Sequence, residues 1–326
     1  MQSTTPSWLP ADPELRVIVS CTARLRGGGP RRLPDRRDAH GPLAAVLVET
    51  REEAEQVLRA LDAPGRVLAL DVERKQDLDL LAVAREVLQH AVVVPTKPND
   101  ATVRSLDVLL TTVLGPDLAG LRAAVVGTGN IGLKAVLLLA ERNARVLVHG
   151  RDPLAVRRTV EAVAAVVPAH QPAHPAVLSD ADADLDLLVT AVSADGVVDE
   201  EWLTRLRPGA LVVDVGIGNL SPGFIAGAAS TGVRVLRLDT RFAEAQVLWP
   251  APGFAERGPA RAVLDDVDVV SGGWVGELGV VVVDDVAHPT QVVGVADGRG
   301  GLVPAPDQDL GTRERVERVQ RVVSGG

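Results

Sequence analysis

The sequence has no tyrosine, a single cysteine and few lysines, and each of these features bears on the function that the protein can have. It contains no tyrosine, which excludes any mechanism that needs a phenol. Cys21 is the single cysteine, so no disulfide can form within the chain, and a reducing compartment fits. Only three of the 34 basic residues are lysines, namely Lys75, Lys97 and Lys134. Each lysine in so arginine-rich a chain marks a position to consider for function, although chance would also leave a few.

Long apolar runs and long basic runs are missing as well. No apolar segment reaches membrane-spanning length, and the N-terminal segment lacks the basic and apolar regions of a signal peptide. The formal net charge is −9, and the basic side chains concentrate in one cluster, Arg31, Arg32, Arg36 and Arg37. A solvated loop explains that cluster as well as an anion site does. We therefore expect a cytoplasmic protein with no membrane and no nucleic-acid partner.

What the sequence does contain is a repeated alternation of apolar strands and helices. A length of 326 residues, with 46% hydrophobic and 24% charged residues, suggests two globular domains. A first strand at 14–21 is followed by a Gly/Pro/Arg loop through about Pro42. The pattern then predicts strand 43–48, helix 51–61, strand 66–72, helix 78–89, strand 91–94 and helix 101–113. This order predicts an α/β fold with a parallel sheet.

A glycine-rich turn joins an apolar strand to an apolar helix within residues 121–140. In the dinucleotide-binding spacing the first glycine makes a tight turn, the second lets a pyrophosphate approach the backbone, and the third lets helix and strand pack closely. The helix would direct its positive end toward the phosphates. Because a second strand follows at 144–148, the context favours nucleotide binding over an ordinary glycine turn. The predicted cofactor-binding residues of this turn are Gly127, Thr128, Gly129, Asn130, Ile131 and Gly132.

The turn after that second strand, His149-Gly150-Arg151-Asp152, bears on the choice of nucleotide. An NAD enzyme usually carries an acidic residue here for the ribose 2′-hydroxyl, whereas Arg151 suits a 2′-phosphate. The sequence therefore favours NADP, and Asp152 keeps NAD open. All four residues are predicted to lie at the cofactor.

Two later strands of this half end in turns that would also face the cofactor. Carboxyl ends of parallel strands form the ligand-binding edge of a doubly wound sheet, so these exits would lie beside the nicotinamide. The residues predicted there are Ala191, Val192, Ser193, Val215 and Gly216.

A lysine follows a buried strand of the first half, in the segment Val92-Val-Val-Pro-Thr-Lys97-Pro-Asn-Asp100. At that strand end Lys97 would be the acid/base, or the electrostatic anchor of the group that changes oxidation state, with Asp100 tuning it through charge pairing. A structural role is a strong alternative for Asp100, because Asn99 or Asp100 would serve as the N-cap of the next helix. Lys75, after the preceding strand, is a second candidate, with a solvated turn as its alternative.

These motifs resemble those of two known enzyme groups. Gly127-Thr-Gly-Asn-Ile-Gly132, His149-Gly-Arg151 and Asp214-Val-Gly-Ile217 are similar to the cofactor domain of methylenetetrahydrofolate dehydrogenase and its methanopterin-linked relatives. Val93-Val-Pro-Thr-Lys97 resembles the segment of shikimate dehydrogenase, in the amino-acid-dehydrogenase-like group, that places a lysine two residues after a proline. The resemblance implies a Rossmann-type cofactor half and the use of NADP or NAD.

The substrate half departs from both groups. The Tyr-x-x-x-Lys pair of the folate enzymes cannot exist without tyrosine, and their Gln-Leu-Pro-Leu-Pro segment is missing. The Ser-x-Ser clamp and the Thr-Asp-x-x-Gly segment of shikimate dehydrogenase are missing too. The resemblance therefore implies the cofactor and does not identify the substrate.

The predicted organisation has three parts. An α/β substrate domain at residues 1–115 precedes a Rossmann nucleotide domain at 116–275, and a C-terminal addition at 276–326 follows. Within the addition we expect a β-hairpin over 280–298 and an amphipathic tail helix over 309–323.

The leading hypothesis is an NADP-dependent oxidoreductase that moves hydride between the nicotinamide and a small polar substrate of the hydroxy/keto or amino/imino acid type. The substrate would lie between residues 1–115 and the nucleotide domain. Two alternatives stay open: an enzyme that uses the nucleotide without net redox, such as a cyclase, and a cofactor-binding protein whose active site has decayed. No metal is expected, because prolines around His170 and His174 exclude a helix that would present both. The oligomeric state is open, a homodimer included.

Overall fold

The computed structural model divides the chain into two compact units, Met1–Trp249 and Pro250–Gly326. It describes residues 6–10, 12, 15–21, 28–38, 41–74, 77–241, 243, 260–304 and 307–324. The first unit holds two sheets and the second unit holds a third. The predicted boundaries near residues 115 and 275 stay predictions, and the third sheet takes strands from both sides of residue 275.

The first sheet has five strands in the order β2-β3-β1-β4-β5. These strands are β1 (Arg16–Ser20), β2 (Arg31–Asp38), β3 (Gly41–Leu47), β4 (Val67–Asp71) and β5 (Val92–Thr96). All pairings are parallel except that of β2 with β3. Helices follow β3, β4 and β5 in turn, and they are α1 (Arg51–Leu61), α2 (Leu80–Val87) and α3 (Pro98–Leu114). The predicted parallel α/β first half is confirmed.

Strand β2 lies inside the segment that the sequence predicts to be a loop, so that prediction is wrong for Arg31–Asp38. The strand is at the edge of its sheet, and its register with β3 shifts between Leu33 and Arg36. Edge strands commonly carry charges, proline and bulges, because these features discourage pairing with another chain. The arginines of this segment therefore belong to a charged edge strand.

The second sheet is parallel throughout its described strands, in the order β11-β10-β9-β6-β7-β8. Its strands are β6 (Arg122–Val126), β7 (Arg145–His149), β8 (Ala176–Val177), β9 (Leu185–Thr190), β10 (Leu206–Asp214) and β11 (Arg234–Arg237). This is the strand order of a Rossmann fold, which confirms the predicted class. The order reverses between β6 and β9, and the crevice at the carboxyl ends there is where such sheets bind ligands.

Helices cover both faces of this second sheet. They are α4 (Asn130–Glu141), α5 (Pro153–Val166), a 3-10 helix (Glu200–Arg205) and α6 (Pro222–Thr231). Val125 packs into the apolar cluster under α3, α4 and α5, whereas its neighbours Ala124 and Val126 pack under α6. Alternate residues of β6 therefore serve opposite cores, which requires the continuously apolar strand seen in the sequence. Among the helices of the described ranges, none combines the length and apolar character needed to cross a bilayer.

Helix α3 begins differently from the prediction. Lys97 occupies its N-cap position without a side-chain capping hydrogen bond, and Pro98 takes the first helical position. Proline suits that position because its missing N–H would have no partner within the helix. The alternative in which Asn99 or Asp100 caps this helix is therefore wrong, and the Asp100 carboxylate is available for other contacts.

The second unit contains a five-stranded sheet in the order β12-β13-β14-β15-β16. Its elements are β12 (Arg261–Leu264), β13 (Val267–Ser271), β14 (Val281–Val283), β15 (Val292–Ala296), β16 (Leu302–Val303) and α7 (Leu310–Ser324). Strands β14 and β15 pair antiparallel, as predicted for a hairpin. Val316 and Val319 of α7 are buried against the valines of this sheet. The amphipathic tail helix predicted from its valine spacing is thus present.

Asp62, which follows α1, fixes the turn that leads into β5. Its carboxylate accepts hydrogen bonds of 2.9 Å from the backbone N–H groups of Gln89, His90 and Ala91. Burial raises the pKa of Asp62, but these donors outweigh burial and lower the pKa to about 2. The turn is therefore held by an ionised carboxylate.

We predict that Asp62→Asn lowers the free energy of unfolding by about 1–3 kcal/mol at pH 7, because charge-assisted hydrogen bonds are lost. The folded pKa of Asp62 lies below its ordinary value of 3.8. Its contribution is therefore complete above the unfolded pKa and disappears as the pH falls through the folded one. Urea unfolding should show that the difference in free energy of unfolding between the native protein and Asp62→Asn becomes smaller below about pH 4. A difference that stays constant down to about pH 2.5 would contradict this role.

Candidate functional site

The three glycines of the predicted nucleotide turn meet the steric demands expected of them. A Cβ at Gly127, whose φ is +130°, would overlap the carbonyl oxygen of Ala191, and one at Gly132 would overlap the carbonyl oxygen of Gly127. At Gly129, by contrast, no heavy atom lies within 4 Å of the Cβ position. The first and third glycines thus close the turn, and the second borders open space. This is the cradle that a pyrophosphate requires.

Helix α4 begins at this turn without a side-chain cap. Gly129 is its N-cap, and the carbonyl oxygen of Gly129 accepts from the N–H of Leu133 at 2.9 Å. The first amides of a helix have no partner within the helix, and the helix dipole favours an anion beside them. Thr128 and Ile131 are both partly exposed at this end. The residues present therefore fit a dinucleotide phosphate.

The turn after β7 approaches the glycine turn closely. A Cβ at Gly150 would lie 3.1 Å from Cγ2 of both Thr128 and Val156. Asp152 caps α5, and its carboxylate accepts from the N–H of Leu154 at 2.9 Å. Arg151 between them is exposed. The acidic side chain of this turn is thus engaged in helix capping, and the arginine is exposed to solvent.

His149, the last residue of β7, is partly buried and packs edge-on against Trp202, with 5.2 Å between ring centroids. Burial lowers the pKa of His149, and the positive charge of Arg205 lowers it further, against a smaller opposing effect of Asp180. Burial and Arg205 thus both favour the neutral form of the imidazole. His149 also lines a pocket of about 190 Å³ together with Leu178, Ser179, Asp180, Glu201, Trp202 and Arg205.

At the predicted nicotinamide end, the exits of β9 and β10 are fastened to each other by Asn219. Its side chain accepts from the N–H of Val192 at 3.2 Å and donates to the carbonyl oxygens of Val192 and Ala194 at 3.0 and 2.9 Å. A Cβ at Gly216 would overlap the Asn219 amide. Ser193 is exposed beyond this contact, and Val215 is buried beneath it. The two exits therefore lie side by side, with Val215 buried beneath them.

Asp214 holds the turn that follows β10 in an unusual backbone conformation. Its carboxylate accepts from the N–H groups of Ile217 and Gly218, at 3.1 and 2.8 Å, and from the hydroxyl of Thr190 at 3.0 Å. Ile217 has a φ of +63°, in the left-handed region that β-branched residues rarely adopt, and the residue is 57% exposed. Strain of this kind persists where the surroundings over-determine it, commonly at functional sites.

The two predicted catalytic residues lie together at the carboxyl edge of the first sheet. Nζ of Lys97 is 3.9 Å from Oδ2 of Asp100, and Oδ1 of Asp100 is paired with the ammonium of Lys134. Lys134 belongs to α4, the helix that begins at the nucleotide turn. The structure therefore joins the predicted catalytic pair to the predicted cofactor helix. Lys75, the second candidate, lies outside the described residues.

Glu73 completes this cluster from the turn after β4. Its Oε2 accepts from the N–H of Asn99 at 2.7 Å, and its Oε1 is 4.0 Å from Nζ of Lys134. Burial raises the pKa of Glu73, and the charges of Asp71 and Asp100 add to this, against the Asn99 hydrogen bond and Lys134. A partly buried carboxyl group whose pKa is raised, next to the predicted catalytic pair, is a candidate for proton transfer.

Sequence reasoning did not assign Glu73, Lys134, Asn219 or Trp202 to the site. Scarcity of lysine was the one signal that drew attention to Lys134. Glu73 and Asn219 both lie in turns that follow predicted strands, but their contacts join segments that are far apart in the chain, and no local pattern records such contacts.

Comparison with known protein families gives a match over part of the chain. Residues 91–232 match the family model described as alanine dehydrogenase/PNT, C-terminal domain. This range includes the glycine turn at 127–132, the turn at 149–151 and the strand exit at 214–217. These are the motifs on which the resemblance to the folate enzymes was based.

The sequence is also similar to individual curated proteins. The chain is 32% identical over 142 residues to bifunctional protein FolD 2 of Myxococcus xanthus (strain DK1622), covering 43% of this chain and 38% of that protein. It is 28% identical over 220 residues to bifunctional protein FolD of Chelativorans sp. (strain BNC1), covering 66% and 60%. The chain thus spans less than two thirds of the length of each of these relatives. The predicted resemblance to the methylenetetrahydrofolate dehydrogenase group is confirmed.

Among solved structures, shikimate dehydrogenase in complex with NADP+ aligns with a TM-score of 0.47 and 13% identity, over 76% of this chain and 94% of that one. L-tryptophan dehydrogenase from Nostoc punctiforme aligns with a TM-score of 0.40 and 16% identity, over 64% and 61%.

Proposed function

We propose that the protein is an NADP-dependent oxidoreductase that moves hydride between the nicotinamide and a small polar metabolite of the hydroxy/keto or amino/imino acid type. The observation that carries this proposal is the ion pair of Lys134 with Asp100. Lys134 is four residues after Asn130, the first residue of α4, or about 6 Å along the helix axis. A cofactor on the turn before α4 would therefore reach the edge where Lys97 lies.

The first and second sheets contribute different groups to the proposed reaction. The nicotinamide, when bound, supplies the hydride chemistry, and the chain supplies orientation and a proton. Gly129 and the first amides of α4 hold the pyrophosphate. The surface fastened by Asn219 supports the nicotinamide end. Lys97 donates a proton to, or accepts one from, the oxygen or nitrogen bonded to the carbon that accepts or loses the hydride.

The match to the alanine dehydrogenase/PNT C-terminal domain and to the FolD proteins supports a dehydrogenase. The substrate type is tested by following NADPH absorbance with a panel of 2-oxo acids, with and without ammonia. We expect NADPH oxidation with at least one member of the panel. Conversion of an acid without any change in NADPH absorbance would instead favour an enzyme without net redox.

The preference for NADP rests on the turn after β7. Because Asp152 is committed to capping α5 and Arg151 is exposed, this turn offers a cation to a 2′-phosphate. We predict that Arg151→Ala weakens NADPH binding by about tenfold or more and changes NADH binding by less than about threefold. Fluorescence titration measures both affinities.

Arg158→Ala is the matched control for this prediction. Arg158 is exposed on α5, so its replacement changes the net charge equally while leaving the turn intact. NADPH affinity should be unchanged in that variant. An equal loss in both variants, or an equal loss of NADH and NADPH binding in Arg151→Ala, would show that Arg151 does not read the 2′-phosphate.

A further inference from the structure

We propose that Lys134 is a positioning residue of the reaction and that it acts through Asp100, whose carboxylate it holds beside the ammonium of Lys97. This inference rests on the proposed function, in which Lys97 is the acid/base. It adds a residue of the cofactor half to a site whose other members come from the first sheet.

The contacts of Lys134 place its ammonium between carboxylates from two different elements. Asp100 lies on α3 and Glu73 follows β4, and Nζ of Lys134 pairs with Asp100 and is 4.0 Å from Glu73. The two oxygens of Asp100 are thereby divided: one faces Lys134, and the other is 3.9 Å from Nζ of Lys97. Lys134 therefore limits how Asp100 can turn toward Lys97.

The charges around this point explain why removal of Lys134 would disturb Lys97. Asp71, Glu73 and Asp100 gather at this edge, and of the described side chains only Lys97 and Lys134 form ion pairs with this group. Asp71 is already satisfied by the Ser20 hydroxyl at 2.8 Å and the Glu73 N–H at 2.8 Å. Without Lys134, Asp100 would turn both oxygens to Lys97 and change the position and surroundings of its ammonium.

The same pair of helices offers an internal comparison. Farther along α3, Asp107 pairs with Arg142, which follows the last residue of α4. This second pair joins the same two segments, and there the cation is arginine, as at 31 of the 34 basic positions. At Asp100 the cation is one of only three lysines, a compact ammonium on a flexible stem that can face carboxylates on separate elements. The Asp107–Arg142 pair is thus a control for a purely structural role.

Three lysines make the test direct, because protein labelled with 13Cε-lysine gives three side-chain signals, assigned with single Lys→Arg variants. In Lys134→Met we expect the Lys97 signal to move from its native position. In Lys134→Arg, which keeps a cation against Asp100, and in Arg142→Met it should stay near that position. Thermal unfolding should show a loss of stability in both methionine variants, so that stability alone does not account for the shift.

Asp100→Asn decides whether Lys134 acts through Asp100. In that background Lys134→Met should leave the Lys97 signal where Asp100→Asn alone puts it. If Lys134→Met shifts the Lys97 signal equally in the native and the Asp100→Asn protein, or shifts it in neither, the inference is overturned. Should Lys134→Met fail to fold, Lys134→Gln takes its place in the same comparison. Failure of the native chain to bind NADPH overturns the proposed function, whereas NADPH binding with an unmoved Lys97 signal overturns only the role of Lys134.

Discussion

Gly129→Val should fold as the native chain does and lose about 100-fold or more in NADPH affinity, the cost of blocking a close phosphate contact. Gly129 has a φ of −74° and a ψ of −175°, a conformation open to any residue, and no atom lies near its Cβ position. The added side chain would occupy the space through which a pyrophosphate reaches the backbone. Melting temperature and NADPH fluorescence together measure the two effects.

Gly132→Ala is the matched control, because it alters the same turn but is expected to affect packing and not the approach of a phosphate. Its Cβ would overlap the carbonyl oxygen of Gly127, so helix and strand could not pack as they do. We expect a loss of about 3 kcal/mol or more in stability, the range of severe overpacking. If Gly129→Val binds NADPH with native affinity, the glycine turn is not a phosphate site. If Gly129→Val destabilises the chain as strongly as Gly132→Ala, the space beside Gly129 is not open as described.

Lys97→Ala should reduce turnover by at least about 100-fold, the usual contribution of general acid–base catalysis, while NADPH affinity stays within about threefold. The reason is that Lys97 lies on the edge of the first sheet, whereas the phosphate cradle belongs to the second. NADPH oxidation with the active member of the acid panel gives the rate. Fluorescence titration gives the affinity.

Arg104→Ala controls for charge and exposure in this experiment. Arg104 also lies on α3, is 56% exposed at its side chain, and pairs with Asp107 away from Lys97. Its replacement should leave the rate within about twofold, because none of the described contacts of Arg104 involves Lys97 or Asp100. A Lys97→Ala variant that keeps the native rate would remove Lys97 from the mechanism.

The regular elements were largely predictable because their patterns are local. Helix α1 is observed at the predicted bounds, Arg51–Leu61, since its buried residues Ala54, Val57, Leu58 and Leu61 recur at helical spacing. Strand β2 was not predictable from apolar alternation, because an edge strand needs little apolar character.

The candidate site was predictable only in part, for a related reason. The glycine spacing of residues 127–132 is dictated by local steric overlap, which the sequence pattern records. Asp100 was assigned two roles, and the position of Pro98 at the start of α3 removed the capping role. The ion pair of Asp100 with Lys134 joins segments that are far apart in sequence, and no local pattern records such a contact.

We propose that the second sheet binds a nicotinamide dinucleotide at residues 127–132. Titration of the native chain with NADPH and with NADH, followed by the fluorescence of the bound nicotinamide, tests it most directly. We predict saturable binding of NADPH at micromolar concentrations, tighter than that of NADH and lost in Gly129→Val. Absence of binding of either nucleotide up to about 1 mM, an affinity worth only about 4 kcal/mol, would contradict the claim.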